Sequence, residues 1–167
     1  MSPAGIAESP GKLKVSGGLN LIVRNFQKKI PINKKRIKEV IFNALALEGS
    51  GISGEITICF VNDAKIKALN LKYLHKNKPT DVLAFDMGRP PDSRTILADI
   101  VISTDTAIRN AGIFKTSPLY ELNLYALHGL LHLLGYSDSN PKQRQLMQRK
   151  EKKYANTENR GLSFKQT

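Results

Sequence analysis

The chain reads as an α/β protein (α+β-like) of one domain: a small, mixed, mostly parallel four-stranded sheet covered by about five helices. Three observations predict this. Segments with a two-residue apolar alternation take turns along the chain with segments whose apolar residues recur at helical spacing. One helix, from Leu119 to Leu134, is apolar almost all round and therefore belongs in the middle of the fold. Finally, 167 residues with 41% hydrophobic content suffice for one packed domain and fall short of two.

The elements follow in order. Residues 1–18 are rich in Pro, Gly, Ser and Lys, lack an apolar core, and read as a flexible leader rather than a secretory signal. Leu19–Asn25 is the first strand. Asn33 is a candidate N-cap for a helix to about Glu48, with Ile37, Val40, Ile41, Ala44 and Leu47 on one face and Gly49 beyond its end. Glu55–Val61 sets Ile56, Ile58 and Phe60 against Glu55, Thr57 and Cys59, a strand pattern. Asp63 is expected to cap a second helix that turns Ile66, Leu69 and Tyr73 inward. A polar turn over 75–79 leads into a short strand, Val82–Phe85, and residues 87–95 form a loop carrying Gly88, Pro90 and Pro91.

Ala98–Ser103 is the fourth strand, followed by a helix from about Thr104 to Ala111 that Gly112 closes. Ser117-Pro118 and Asn140-Pro141 both start helices, with the cap residue followed by proline at the first helical position. The last helix is strongly basic and runs to about Tyr154; the tail from 156 to 167 is expected to be loose. Cys59, the lone cysteine, forms no intramolecular disulfide and reads as a small buried hydrophobe. No stretch approaches the roughly 18 apolar residues of a membrane span, and a reducing cytoplasm is the expected compartment.

The formal net charge is +12, which favours a polyanionic partner such as RNA, DNA or anionic lipid. Its distribution is uneven. Residues 24–39 carry seven basic side chains against Glu39, and residues 142–165 carry eight against Glu151 and Glu158, whereas residues 79–140 hold seven acids and four basics. Solvated helix faces account for many lysine runs. Basic flanks around an acidic centre also suit phosphate contact beside a carboxylate-containing metal site.

The chemistry concentrates in His128-Gly129-Leu130-Leu131-His132-Leu133-Leu134-Gly135-Tyr136-Ser137-Asp138. Four residues on a helix advance roughly 400°, so the two imidazoles leave one face a turn apart. Gly135 stands where a helix closes on a left-handed residue, allowing the chain to bring Asp138 back toward the rings. Two histidines and one carboxylate are the ligand types of an open Zn²⁺ site. An HxxxH pair alone is often two core histidines with satisfied nitrogens. Two further features weigh toward a metal: the apolar surroundings, where buried rings need partners, and Gly129, whose mid-helix cost of about 1 kcal/mol suggests a close approach to backbone or ligand.

The pattern H-G-x-L-H-L-x-G-Y resembles the signature of the bacterial YbeY family of zinc-dependent endoribonucleases. Pro79-Thr80-Asp81-Val82-Leu83-Ala84-Phe85, with Leu69-Asn70, Tyr73 and Lys76 before it, is similar to a second block of that family. Leu97-Ala98-Asp99-Ile100-Val101-Ile102-Ser103 is similar to a third. The resemblance spans roughly 19–155. It implies one zinc per chain held by His128, His132 and the residue at position 138, and a single-strand-directed activity in maturation of the small-subunit ribosomal RNA 3′ end and in ribosome quality control. The partners it implies are ribosomal RNA and the ribosome, with Lys76, Thr80 and Asp81 as candidate substrate contacts.

Besides Asn77, which replaces an aspartate, two positions that bear on the chemistry depart from the family pattern. Asp138 stands where the family has its third histidine, a replacement also compatible with the H-x-x-x-H-x-x-G-x-x-D spacing of metzincin-like proteases. Leu74 replaces an arginine, for which His75 and Lys76 are neighbouring substitutes. Two other readings are a non-catalytic RNA- or ribosome-binding protein with a degenerated metal site, and a metalloprotease-like hydrolase. The second lacks its general base, because Gly129 stands where such proteases carry Glu. Asp99 is open to a turn role or to orienting a histidine.

Overall fold

The computed structural model describes residues 18–88 and 93–156. The expected leader (apart from Gly18), the prolines of the 87–95 loop and the tail beyond Asn156 lie outside these residues. The elements are β1 (Leu19–Asn25), α1 (Lys34–Leu47), β2 (Ser53–Val61), α2 (Asp63–Leu74), β3 (Val82–Asp86), β4 (Thr95–Ser103), α3 (Thr104–Phe114), α4 (Pro118–Leu133) and α5 (Pro141–Asn156). The sheet order is β1-β2-β4-β3. β1, β2 and β4 run parallel, and β3 lies antiparallel on the edge against β4.

Strand alternation decides which helix covers which face. Ile56, Ile58 and Phe60 of β2 and Ile96, Ala98, Ile100 and Ile102 of β4 point to one side. There they form the main core with α1, α4 and α5. The opposite side is covered near the strand ends by α2, whose Ile66 packs with Val61, Leu83 and Val101. α4 buries ten of its sixteen residues, as an all-round apolar helix must. Cys59 is half-buried on the α2 side, and burial first, then the Asp99 charge, push its thiol pKa up. No helix among the described residues is long and apolar enough to cross a membrane.

Every helix starts on a side-chain cap. Asn33, Ser103, Ser117 and Asn140 accept from the backbone N–H three residues on. The second helix corrects its expected start: Asn62, not Asp63, is the cap, accepting from Lys65 N at 2.9 Å. Asp63 is instead a hub, taking bonds from Ser103, Thr106 and Arg109. α3 runs past Gly112 and closes at Lys115, which is left-handed. β2 and β4 begin earlier than their apolar cores, because Ser53 and Thr95 already pair across the sheet. Leu47 and Tyr73 are exposed; Leu45 takes the inward place on α1, and Tyr73 packs on Phe85 at 5.2 Å between ring centroids.

Candidate metal centre

The sequence of α4 places the site. Its Ser117-Pro118 start and apolar faces seat the helix against the sheet, and Gly129 lets it approach β4 closely. A Cβ on Gly129 would stand 2.8 Å from Ile100 Cγ2. The close neighbour is thus a core side chain, not the backbone or ligand expected from the sequence. The helix ends in a Schellman turn: Gly135 has φ +98°, its N–H bonds His132 O, and the Tyr136 N–H bonds Leu131 O. That reversal returns the chain over the face carrying both histidines.

His128, His132 and Asp138 come together as a result, their potential ligand atoms all within 4.8 Å of one another. The two Nε2 atoms are 2.9 Å apart, and Asp138 Oδ2 is 3.6 Å from each. The outer nitrogens are also engaged. His128 Nδ1 lies 2.5 Å from Glu151 Oε1, and His132 Nδ1 lies 3.1 Å from the Tyr136 carbonyl. A carbonyl and a carboxylate only accept, so each neutral ring carries its proton on Nδ1 and turns a bare Nε2 inward. Two lone pairs and a carboxylate oxygen then face one point. This donor set fits a divalent cation, and its nitrogen content fits zinc better than magnesium. For His128, burial alone would lower the pKa. The bond and charge of Glu151, with Asp81 and Asp138, outweigh it and hold the ring above the ordinary imidazole value.

The three atoms open into a cleft of about 410 Å³ between α4 and the edge strand β3, also lined by Asn70, Leu74, Lys76, Lys78, Thr80 and Asp81. All three candidate substrate contacts therefore share the cleft. Asp81 has a turn role as well, its Oδ1 accepting from Thr80 Oγ1 and Val82 N. His75 is exposed and left-handed at the end of α2; Lys76 and Lys78 supply the cleft's cations. Asp99 neither turns the chain nor orients a histidine. It lies within β4, one residue from Ile100, and so points to the sheet face away from α4.

Three residues behind the histidines were not foreseen. Glu151 had one visible signal, as the single acid inside the basic run 142–153. The Tyr136 carbonyl carries no sequence signal. Nor does Glu48, which accepts from Tyr136 Oη at 2.6 Å, from Lys150 Nζ at 2.6 Å and from Tyr154 Oη.

The profile of a family described as "Endoribonuclease YbeY" matches residues 22–159. Relatives carrying that name include a protein of Anaeromyxobacter sp. strain Fw109-5, 45% identical over 104 residues. The match covers 62% of this chain and 54% of that protein, so the chain spans about half of its length. One from Syntrophus aciditrophicus is 38% identical over 136 residues, covering 78% of this chain and 84% of the relative. One from Pelotomaculum thermopropionicum is 37% identical over 139 residues, with 78% and 91% covered. The solution structure of TM1509 from Thermotoga maritima superposes with a TM-score of 0.54 at 25% identity, over 81% of this chain and 87% of that one. With the family profile matched over most of its length, the chain belongs to the YbeY family.

Proposed function

We propose that the chain is a zinc-dependent, single-strand-directed endoribonuclease of the cytoplasm. On this reading it acts in maturation of the small-subunit ribosomal RNA 3′ end and in ribosome quality control, with residues 19–155 as the hydrolase domain. The observation that carries the reading is the convergence of His128 Nε2, His132 Nε2 and Asp138 Oδ2 at the mouth of a lysine-bearing cleft, with each Nδ1 held by an acceptor. Family membership supports the reaction class, since relatives are named endoribonucleases.

His128, His132 and Asp138 would hold the ion. Zinc held there would lower the pKa of a coordinated water toward about 7 and polarise a phosphoryl oxygen. The chain's own groups position the substrate. Lys76 and Lys78 neutralise backbone phosphates on the α2–β3 side of the cleft. The Thr80 hydroxyl donates or accepts, while the Asp81 carboxylate only accepts and so suits a ribose or base donor. Gly129 leaves the helix without a carboxylate beside the first histidine, which disfavours peptide hydrolysis by the zincin route.

Elemental analysis of chelator-free protein, with an RNA cleavage assay on wild type, His132→Ala and Asp138→Ala, tests the proposal. Near-stoichiometric zinc and cleavage that disappears in His132→Ala are expected. RNA binding without metal-dependent cleavage would overturn it in favour of a non-catalytic RNA-binding protein, the reading that Leu74 in the cleft favours.

A further inference from the structure

The two histidines belong to α4, but the groups that fix them lead to a different helix. Glu151 of α5 holds His128 Nδ1, and its side chain is only 12% exposed. The adjacent residue, Lys150, is 2.6 Å from Glu48 Oε1, and Tyr154, one turn on, donates to the same oxygen. The other oxygen of Glu48 takes the Tyr136 hydroxyl, and the Tyr136 carbonyl takes the proton of His132 Nδ1. The Lys150 ammonium also stands 5.0 Å from the centre of the Tyr136 ring. Consecutive residues of α5 thus reach both rings, one directly and one through Glu48, which closes the C-terminus of α1, and the loop after α4.

We propose that α5 is the positioning element of the candidate metal centre, with Glu151 setting the tautomer and orientation of His128. Glu48, secured by Lys150 and Tyr154, holds the carbonyl that does the same for His132. The inference rests on the reading of His128, His132 and Asp138 as metal ligands. Its physical basis is the need for a bare Nε2. A neutral imidazole has one N–H, and an acceptor that captures it at Nδ1 leaves Nε2 free to ligate. Glu151 is a near-buried carboxylate with the His128 ring as its hydrogen-bond partner. Packing alone does not require it, because Met147, Tyr154 and Ala155 are the residues α5 buries. Those three also keep α5 docked when Glu151 is changed.

The test compares wild type with Glu151→Ala, Glu151→Gln, Glu48→Gln and, as a control on the exposed face of α5, Lys152→Ala. Three quantities are measured: Zn²⁺ affinity by competition with a chromophoric chelator, imidazole ¹⁵N shifts of the metal-free protein above the imidazole titration range, and thermal unfolding. Glu151→Ala is expected to release the Nδ1 proton preference of His128 and to weaken zinc about 10–100-fold. Glu151→Gln keeps an acceptor oxygen and retains the tautomer with a smaller loss. Glu48→Gln affects His132 rather than His128, and Lys152→Ala changes nothing. An unchanged His128 tautomer in Glu151→Ala, or an unchanged zinc affinity in a wild type that does bind zinc, overturns the proposal. Should wild type bind no zinc, the metal reading falls by itself. The nitrogen spectra then decide the positioning role, a shifted tautomer supporting it and an unshifted one overturning it.

Discussion

Gly129 of α4 and Ile100 of β4 are in contact at a distance that leaves no room for a methyl group: a Cβ on the glycine would stand 2.8 Å from Ile100 Cγ2. Ile100 is fully buried and β-branched, so it cannot swing aside. Gly129→Ala gains about 1 kcal/mol of helix propensity but incurs an overpacking cost of about 1–3 kcal/mol. The expected net effect is a loss of stability and lower metal affinity, since the histidine-bearing turn must lift off the sheet. Combining it with Ile100→Ala should lose less stability than the two changes summed. Thermal unfolding of the four-member cycle measures this; strict additivity would show that the contact is not what excludes a side chain at 129.

Zinc should stabilise the folded chain. A ligand that binds only the native state adds about 2.7 kcal/mol at a hundredfold excess over its Kd, and the gain should vanish in His132→Ala and shrink in Asp138→Ala. Thermal shifts with and without Zn²⁺ check this. An equal shift in the Asp138 variant would mean that the carboxylate is not a ligand.

Position 138 also sets the charge of the centre. An aspartate makes it one unit more negative than a third neutral histidine would, and a more electron-rich zinc acidifies its water less. Asp138→His is therefore expected to cleave RNA faster and to move the acid limb of the pH–rate profile to lower pH. Superimposable profiles would refute the assignment.

The cleft's cations make a separable contribution. Lys76→Ala and Lys78→Ala should each weaken binding to single-stranded RNA across sequences and reduce the slope of log K against log salt by about 0.7. Leu74→Arg, which restores a guanidinium to the cleft wall, should raise cleavage about tenfold or more if it stabilises developing phosphoryl charge. Salt titrations and single-turnover rates read these two effects independently.

Far from the site, Asp63 offers a pH test of the fold. Burial works to raise its pKa, but Arg109 at 2.5 Å and the hydroxyls of Ser103 and Thr106 outweigh it, holding the carboxyl below its ordinary value. A carboxylate depressed in the folded state contributes stability that is fully present above its unfolded pKa of about 3.9. That contribution is lost as pH falls through the folded value. Because Arg109 is half exposed, roughly 1 kcal/mol is the expected loss in Asp63→Asn at neutral pH. The gap between variant and wild type should close in acid. A gap independent of pH would locate the effect elsewhere.

Local signals carried far in this chain. The alternation of Ile56, Ile58 and Phe60 identified β2 and its inward face, the Ser117-Pro118 and Asn140-Pro141 pairs located both helix starts, and the HxxxH spacing with Gly135 located the cluster. Misplacements arose where neighbours were chemically equivalent. Asn62 and Asp63 are both good caps, and Leu45 and Leu47 both fit a helical stripe until the docking angle of α1 is known. What local reading could not reach was long range. Glu151 meets His128 across 23 positions, Glu48 meets Tyr136 across 88, and a backbone carbonyl that fixes a histidine has no letter of its own. Asp99 is a different case: its parity against Ile100 within one strand, a local signal, sets it on the sheet face away from α4.

The insertion of β4 between β2 and β3 has a kinetic consequence. β4 is the last strand of the described residues to be made, yet it links the β1–β2 pair to β3, through parallel contacts that span about forty residues to β2. Until residue 103 has been synthesised, β1–β2 and β3 have no common neighbour, and α4 has no complete surface on which to settle. Non-local parallel pairing is slow because loop closure precedes its reward. Assembly of the histidine cluster is therefore gated by a strand that contributes no side chain to it, and core substitutions in β4 should delay the recovery of metal binding during refolding more than substitutions around the cleft itself.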